Sequence, residues 1–117
     1  MIFNRAIVAV AFLVAASTSL ADGVMKGDAA AGEALVASCT ACHGADGNSL
    51  APTFPKLAGL GERYLLKQMK DIRDGRRPVA LMAGQVDNMT DQQLADIAAF
   101  YDAQTRTSGT TDPELLA

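Results

Sequence analysis

Both cysteines and the single histidine of this 117-residue chain fall within five consecutive positions, in Ser38-Cys39-Thr40-Ala41-Cys42-His43-Gly44. Two thiols and an imidazole held so closely must act at one place, and the rest of the chain has to be arranged around them. Structural zinc wants four N or S ligands, and no other Cys or His exists to complete the set. A disulfide between neighbours three apart would close only a tiny loop. A C-x-x-C redox dithiol belongs beside a βαβ pattern, and no strand precedes Cys39. For a nucleophilic Cys/His pair the geometry is poor, because adjacent residues on a helix point about 100° apart.

Helical periodicity runs through the segments on either side. Gly32, Leu35, Val36 and Cys39 recur at i, i+3, i+4, i+7, which predicts a helix from Asp28 to Cys39 with its last apolar position at the first cysteine. The stretch from Gly44 to Gly61 is dense in Gly, Pro, Asn and Ser and reads as an irregular loop able to wrap an object. A second helix is predicted over Glu62–Asp74, where Leu65, Met69 and Ile72 share a face and Gly75 supplies the stop. The loop GRRPVALMAGQVDNM follows. Thr90 and Gln93 form a capping box for a last helix from Asp91 to about Ala103, with Met89 as a staple against Leu94. Its buried face is Leu94, Ile97, Ala98 and Tyr101. No run alternates with period two, so the fold class is all-α. Gly32 inside a helix costs about 1 kcal/mol against Ala, and a close crossing with the last helix, against Phe100 or Tyr101, would account for it.

The N-terminus MIFNR-AIVAVAFLVAA-STSLA has the charged, apolar and small-residue regions of a secretory signal, with cleavage expected after Ala21. Its apolar run is about half the roughly 20 residues a membrane span needs, so no span is expected after cleavage. Loss of Arg5 would leave nine basic against 13 acidic side chains. With no basic stripe, nucleic-acid binding has nothing to start from. Few aromatics remain to fill a small core: no Trp, two Tyr, and Phe54 and Phe100 once Phe3 and Phe12 are removed. A large apolar cofactor would make up the shortage. C-x-x-C-H is the attachment signature for c-type haem: Cys39 and Cys42 are spaced to reach the two vinyl groups of one porphyrin, and His43 is directed at its iron.

The blocks CTACHG, FPKLAGL, LMAGQ and TDQQLADIAAFY, and nearly all of residues 24–104, resemble a class I cytochrome c. They are most similar to the N-terminal half of the diheme cytochromes c of the c-four type. The resemblance implies three to four helices around one covalently bound haem c, ligation by His and Met, and electron transfer. It also implies that the Pro55 carbonyl accepts the free ring N–H of His43 and that Leu57 presses on the haem. Among the methionines left after export, Met25 precedes the first helix, Met69 lies on a core stripe and Met89 has the staple. Met82, in VALMAGQ, lies in a loop and matches the family's axial methionine, so His43 and Met82 are the expected metal ligands. Arg76 and Arg77 fit either a propionate contact or an exposed charged loop.

On this basis the chain is expected to be a periplasmic monohaem electron carrier, not an enzyme. A monomer over residues 22–104 is expected, serving transient redox partners such as a cytochrome complex, an oxidase or a dehydrogenase. An electron-transfer subunit of a periplasmic dehydrogenase complex is the alternative. A haem protein with an open site and a haem-free disulfide oxidoreductase are the competing classes. Between Ser38 and Leu60 only Asp46 and Lys56 are charged, which suggests a largely uncharged docking face. Residues 105–117 are expected to form a flexible C-terminal tail resembling the interdomain linker of the diheme relatives.

Overall fold

Four α-helices and one short 3-10 turn make up the regular structure of residues 25–109, the part of the chain that the computed structural model describes. The expected leader at 1–21 lies outside these residues, as does most of the expected tail. The helices are α1 (Ala29–Glu33), α2 (Ala37–His43), α3 (Glu62–Arg73) and α4 (Asp91–Asp102), with the 3-10 turn at Ala80–Met82 between the last two. Among the described residues there is no strand.

The single helix expected from Asp28 to Cys39 is two. Asp28 caps α1, its carboxylate accepting from the N–H groups of Ala30 and Ala31. The helix then tightens, Leu35 N–H reaching back only to Gly32 O at 2.9 Å, and restarts at Ala37. The apolar stripe survives the break: Gly32 and Val36 are buried, and Leu35 and Cys39 pack on the core. Two short helices with a hinge between them let α1 lie across α4 while α2 turns its sulfurs and imidazole elsewhere. No Gly or Pro marks residues 34–36, so periodicity alone could not locate the break.

Helix α4 is the axis of the core. Its capping box is present in both directions, Thr90 Oγ1 accepting from Gln93 N–H and Gln93 Oε1 accepting from Thr90 N–H. Leu94, Ala95, Ile97, Ala98 and Tyr101 are all buried along it. Against it α1 approaches so closely that a Cβ on Gly32 would lie 2.0 Å from Asp96 O and 2.9 Å from Phe100 Cβ. The crossing of the terminal helices is therefore backbone on backbone, with Phe100 rather than Tyr101 beside the glycine. Carboxylates fasten the incoming chain: Asp28 N–H donates to buried Asp96 at 2.8 Å, and Gly27 N–H to Glu62 at 2.7 Å.

Two loops complete the molecule. The first, 44–61, folds around one carbonyl, Gly47 O, which accepts from Leu57 N–H at 2.7 Å and Ala58 N–H at 3.2 Å. Gly47 must be a glycine here, since its φ is 76° and a Cβ would meet the Tyr101 ring at 2.7 Å. The second loop contains the 3-10 turn at Ala80–Met82, where an unconstrained loop was expected. The start of the expected flexible tail is held down: Asn48 and Lys56 bind Thr105 and Thr107 through hydrogen bonds of 2.9–3.1 Å.

Candidate functional site

Helix α2, the 44–61 loop, α3, the 3-10 turn and α4 enclose one cavity of about 230 Å³. Its wall is mainly apolar, with Leu57, Leu60, Leu65, Ile72, Val79 and Ile97 among the contributors. Cys39, Cys42, His43, Pro55, Leu57 and Met82 all line it. The six residues singled out from the sequence are thus gathered at one place from three separate stretches of chain.

Each is set by its local structure. Cys39 and Cys42 lie three apart on α2, nearly one turn, so both sulfurs face the same cavity; Cys39 is half-buried, Cys42 exposed, and both thiols are free. Burial pushes the Cys39 thiol above its ordinary range. His43 closes α2 and is buried, its ring edge-on to Phe54 at 6.4 Å. Its Nδ1 lies 2.8 Å from the Pro55 carbonyl oxygen. A carbonyl can only accept, so this contact puts the proton on Nδ1 and leaves the Nε2 lone pair as the ligating group. Pro55 contributes its backbone oxygen, while the proline ring stiffens a loop already fixed at Gly47.

Two methionines reach the cavity. Met69 comes from the inner face of α3 and packs against the core cluster, whereas Met82 comes from the end of the 3-10 turn and is half-buried outside that cluster. Arg77 also lines the cavity and donates to Gln68 Oε1 at 2.8 Å. Arg76 is engaged elsewhere, with Asp71 at 2.8 Å and Asp74 at 3.1 Å. Sequence reasoning did not assign two residues that matter here. Asn48 is buried and pins the loop, its only advance sign being the short Asp-Gly-Asn turn. Tyr101 lines the cavity with a hydroxyl that has no hydrogen-bond partner.

The donor set fits a covalently held haem and little else. An apolar wall suits a porphyrin face, two thiols one turn apart suit its vinyl groups, and an imidazole with one nitrogen already anchored suits its iron. Among the described residues no group of three or more His, Cys, Asp or Glu is disposed to hold a bare metal ion.

Comparison with known proteins agrees with this geometry. The family model for cytochrome c matches residues 29–103. Cytochrome c4 of Pseudomonas aeruginosa is 64% identical over 91 residues, which are 78% of this chain and 45% of that protein. Cytochrome c-554(548) of Halomonas halodenitrificans is 47% identical over 81 residues, 67% of this chain and 98% of the other. The crystal structure of reduced recombinant cytochrome c4 from Pseudomonas stutzeri superposes with a TM-score of 0.73 at 53% identity, covering 76% of this chain and 52% of that one. The chain spans about half the length of the c4 cytochromes it matches. A helical fold around a C-x-x-C-H cavity and a family match across most of the described residues lead to one conclusion: the chain belongs to the cytochrome c family and carries haem c.

Proposed function

We propose that this protein is an exported, monohaem electron carrier whose iron is ligated by His43 and Met82. The observation that carries the proposal is the convergence of Cys39, Cys42, His43 and Met82 on one apolar cavity, with His43 Nδ1 already engaged by Pro55. When bound, haem c supplies an iron that gains and loses one electron between Fe(II) and Fe(III). Cys39 and Cys42 would hold it by two thioethers, so that a domain of this size cannot lose it.

The chain's own residues do the rest. The Pro55 carbonyl holds the imidazole of His43 in one tautomer and one orientation, and raises its basicity as a ligand. A thioether from Met82 as the second protein ligand would close the iron to exogenous ligands and raise the potential relative to an oxygen or second nitrogen donor. Met82 is favoured over Met69 because Met69 already has packing partners along α3 and Met82 has none in the core cluster. Leu57, Leu65 and Ile97 keep water from the cavity, which lowers the local dielectric around the charge that changes. With His43 and Met82 both bound to the iron, no position would remain for a substrate, and the protein would act by accepting and passing on electrons.

Removal of residues 1–21, a periplasmic location, a monomeric state and transient redox protein partners complete the proposal. The largely uncharged segment Ser38–Leu60 supports docking through a small, weakly steered interface. Absorption spectroscopy tests the ligand assignment. The oxidised protein should show a Met-to-iron charge-transfer band that Met82→Leu abolishes and Met69→Leu leaves in place, while haem stays on the polypeptide through denaturing electrophoresis in all three. A band that survives in Met82→Leu overturns the ligand assignment; haem released by denaturation overturns the thioethers.

A further inference from the structure

A buried hydroxyl with no partner is costly, because it has left water and found nothing in exchange. Tyr101 presents one such group: the residue is 1% exposed, lines the haem cavity, and its Oη has no hydrogen-bond partner. The ring has little freedom to correct this. Gly47 lies so close that a Cβ there would fall 2.7 Å from the ring, Phe100 meets it edge-on at 5.1 Å, and the Tyr101 carbonyl accepts from Gly59 N–H at 3.0 Å. The neighbour of the hydroxyl is the Cys39 thiol, which packs on the same core cluster and lines the same cavity, without the geometry of a formed hydrogen bond.

In the free thiol form, both members of this pair carry a hydrogen and both can donate. Haem attachment changes that. Addition of the Cys39 S–H across a vinyl group forms the S–C bond and leaves the thiol hydrogen on the other vinyl carbon, so the sulfur becomes an acceptor only. Resting on the assignment of Cys39 as a haem-bearing cysteine, we infer that Tyr101 is a positioning residue for the cofactor, its hydroxyl donating a hydrogen bond to the Cys39 thioether sulfur. The bond satisfies the orphaned hydroxyl, fixes the sulfur from the side of α4, and draws electron density away from that edge of the porphyrin. It also ties the helix of the terminal crossing directly to the cofactor.

The test uses the holoprotein and the Tyr101→Phe variant, with Tyr64→Phe as a control because Tyr64 is half-exposed at the cavity rim. In the wild type, the resonance Raman C–S stretching band should shift on complete exchange into D2O. In Tyr101→Phe the band should move from its wild-type position and lose its deuterium sensitivity, the reduction potential should fall, and the melting temperature should drop by about 4–8 °C, the shift of one modest hydrogen bond in a small domain. Tyr64→Phe should change none of these. A C–S band insensitive to D2O in the wild type and unmoved in Tyr101→Phe overturns the inference. The wild-type isotope experiment decides the matter even where the variant fails to fold. Haem released on denaturation, by contrast, defeats the attachment assignment itself, so the two failures are told apart.

Discussion

A carboxamide has two N–H donors and an oxygen with two lone pairs, and in Asn48 all four are used. Its Nδ2 donates to Asp46 Oδ2 at 3.0 Å and Thr105 O at 2.9 Å, and its Oδ1 accepts from Thr107 N–H and Oγ1 at 2.9 and 3.1 Å. The side chain is buried, so nothing from solvent can replace these partners. Asn48→Ala should therefore cost about 1–3 kcal/mol, the usual penalty for stranding buried polar groups, read as a lower midpoint in guanidinium unfolding. Asn48→Asp should be at least as damaging at neutral pH, because a second carboxylate would then face Asp46 and the Thr105 carbonyl. That Asn48 carries such a role was not legible in the sequence, where Asn between Gly and Ser reads as ordinary turn chemistry. Its partners lie 57 and 59 positions away, and no local pattern encodes so distant a pairing. His43, by contrast, could be singled out because Cys39, Cys42 and His43 stand at the C-x-x-C-H spacing, and the contact with the Pro55 carbonyl that the family resemblance implied is present at 2.8 Å.

Helices meet here in two ways, and each responds to a different perturbation. At the α1–α4 crossing, Gly32→Ala would gain up to about 1 kcal/mol in helix propensity. The added Cβ, however, falls 2.0 Å from the Asp96 carbonyl oxygen and 2.5 Å from its carbon, atoms of backbone that cannot rotate aside. Overpacking of this kind costs about 1–3 kcal/mol or more, so the net effect should be destabilising, with a melting temperature several degrees lower; a raised melting temperature would refute the close crossing. The α3–α4 contact is instead electrostatic at its edge. Lys70 and Arg73 converge on Asp91 at 2.8 and 2.7 Å, Arg73 also pairs with Asp74, and Arg76 with Asp71 and Asp74. Lys67 and Arg76 hold the Asp71 carboxyl below the usual range, Arg73 that of Asp74, and Lys70 that of Asp91. A carboxyl whose folded value is depressed contributes stability above its unfolded value, about 3.9 for Asp, and loses it as pH falls through the folded one. The melting temperature should thus be flat from pH 7 to 5 and fall below about pH 4, more gently in 1 M salt, where these exposed pairs are already screened. The positions of α3 and α4 were readable from period and caps. The hinge at 34–36 was not, because Ala34, Leu35 and Val36 include no helix-breaking residue to mark it.

At the scale of the whole molecule, a short chain poor in aromatics builds its interior around a cavity, and the wall of that cavity is shared by α2, α3, α4 and both long loops. Such a design makes the cofactor part of the core, so its binding is expected to stabilise the fold. Without haem, Leu57, Leu60, Ile72 and Val79 would lose their common partner, and a Cys39→Ala/Cys42→Ala double variant should unfold at markedly lower denaturant concentration and fail to retain haem through denaturing electrophoresis. Cys39, Cys42 and His43 could be named in advance because attachment chemistry requires a fixed spacing, whereas Pro55, Leu57 and Met82 were named with the help of the family resemblance. For the rest of the wall, Tyr101 could be read as buried and Arg77 as one of two open possibilities, but that they and Gln68 meet at this cavity depends on how the helices and the second loop pack. The central proposal is that His43 and Met82 both bind the iron, which would leave electron exchange as its chemistry. Exposure of the reduced protein to carbon monoxide tests it most directly. The Soret band of the wild type should be unchanged, and that of Met82→Ala should shift as the ligand enters the vacated position; a wild-type protein that binds carbon monoxide at neutral pH would contradict the account.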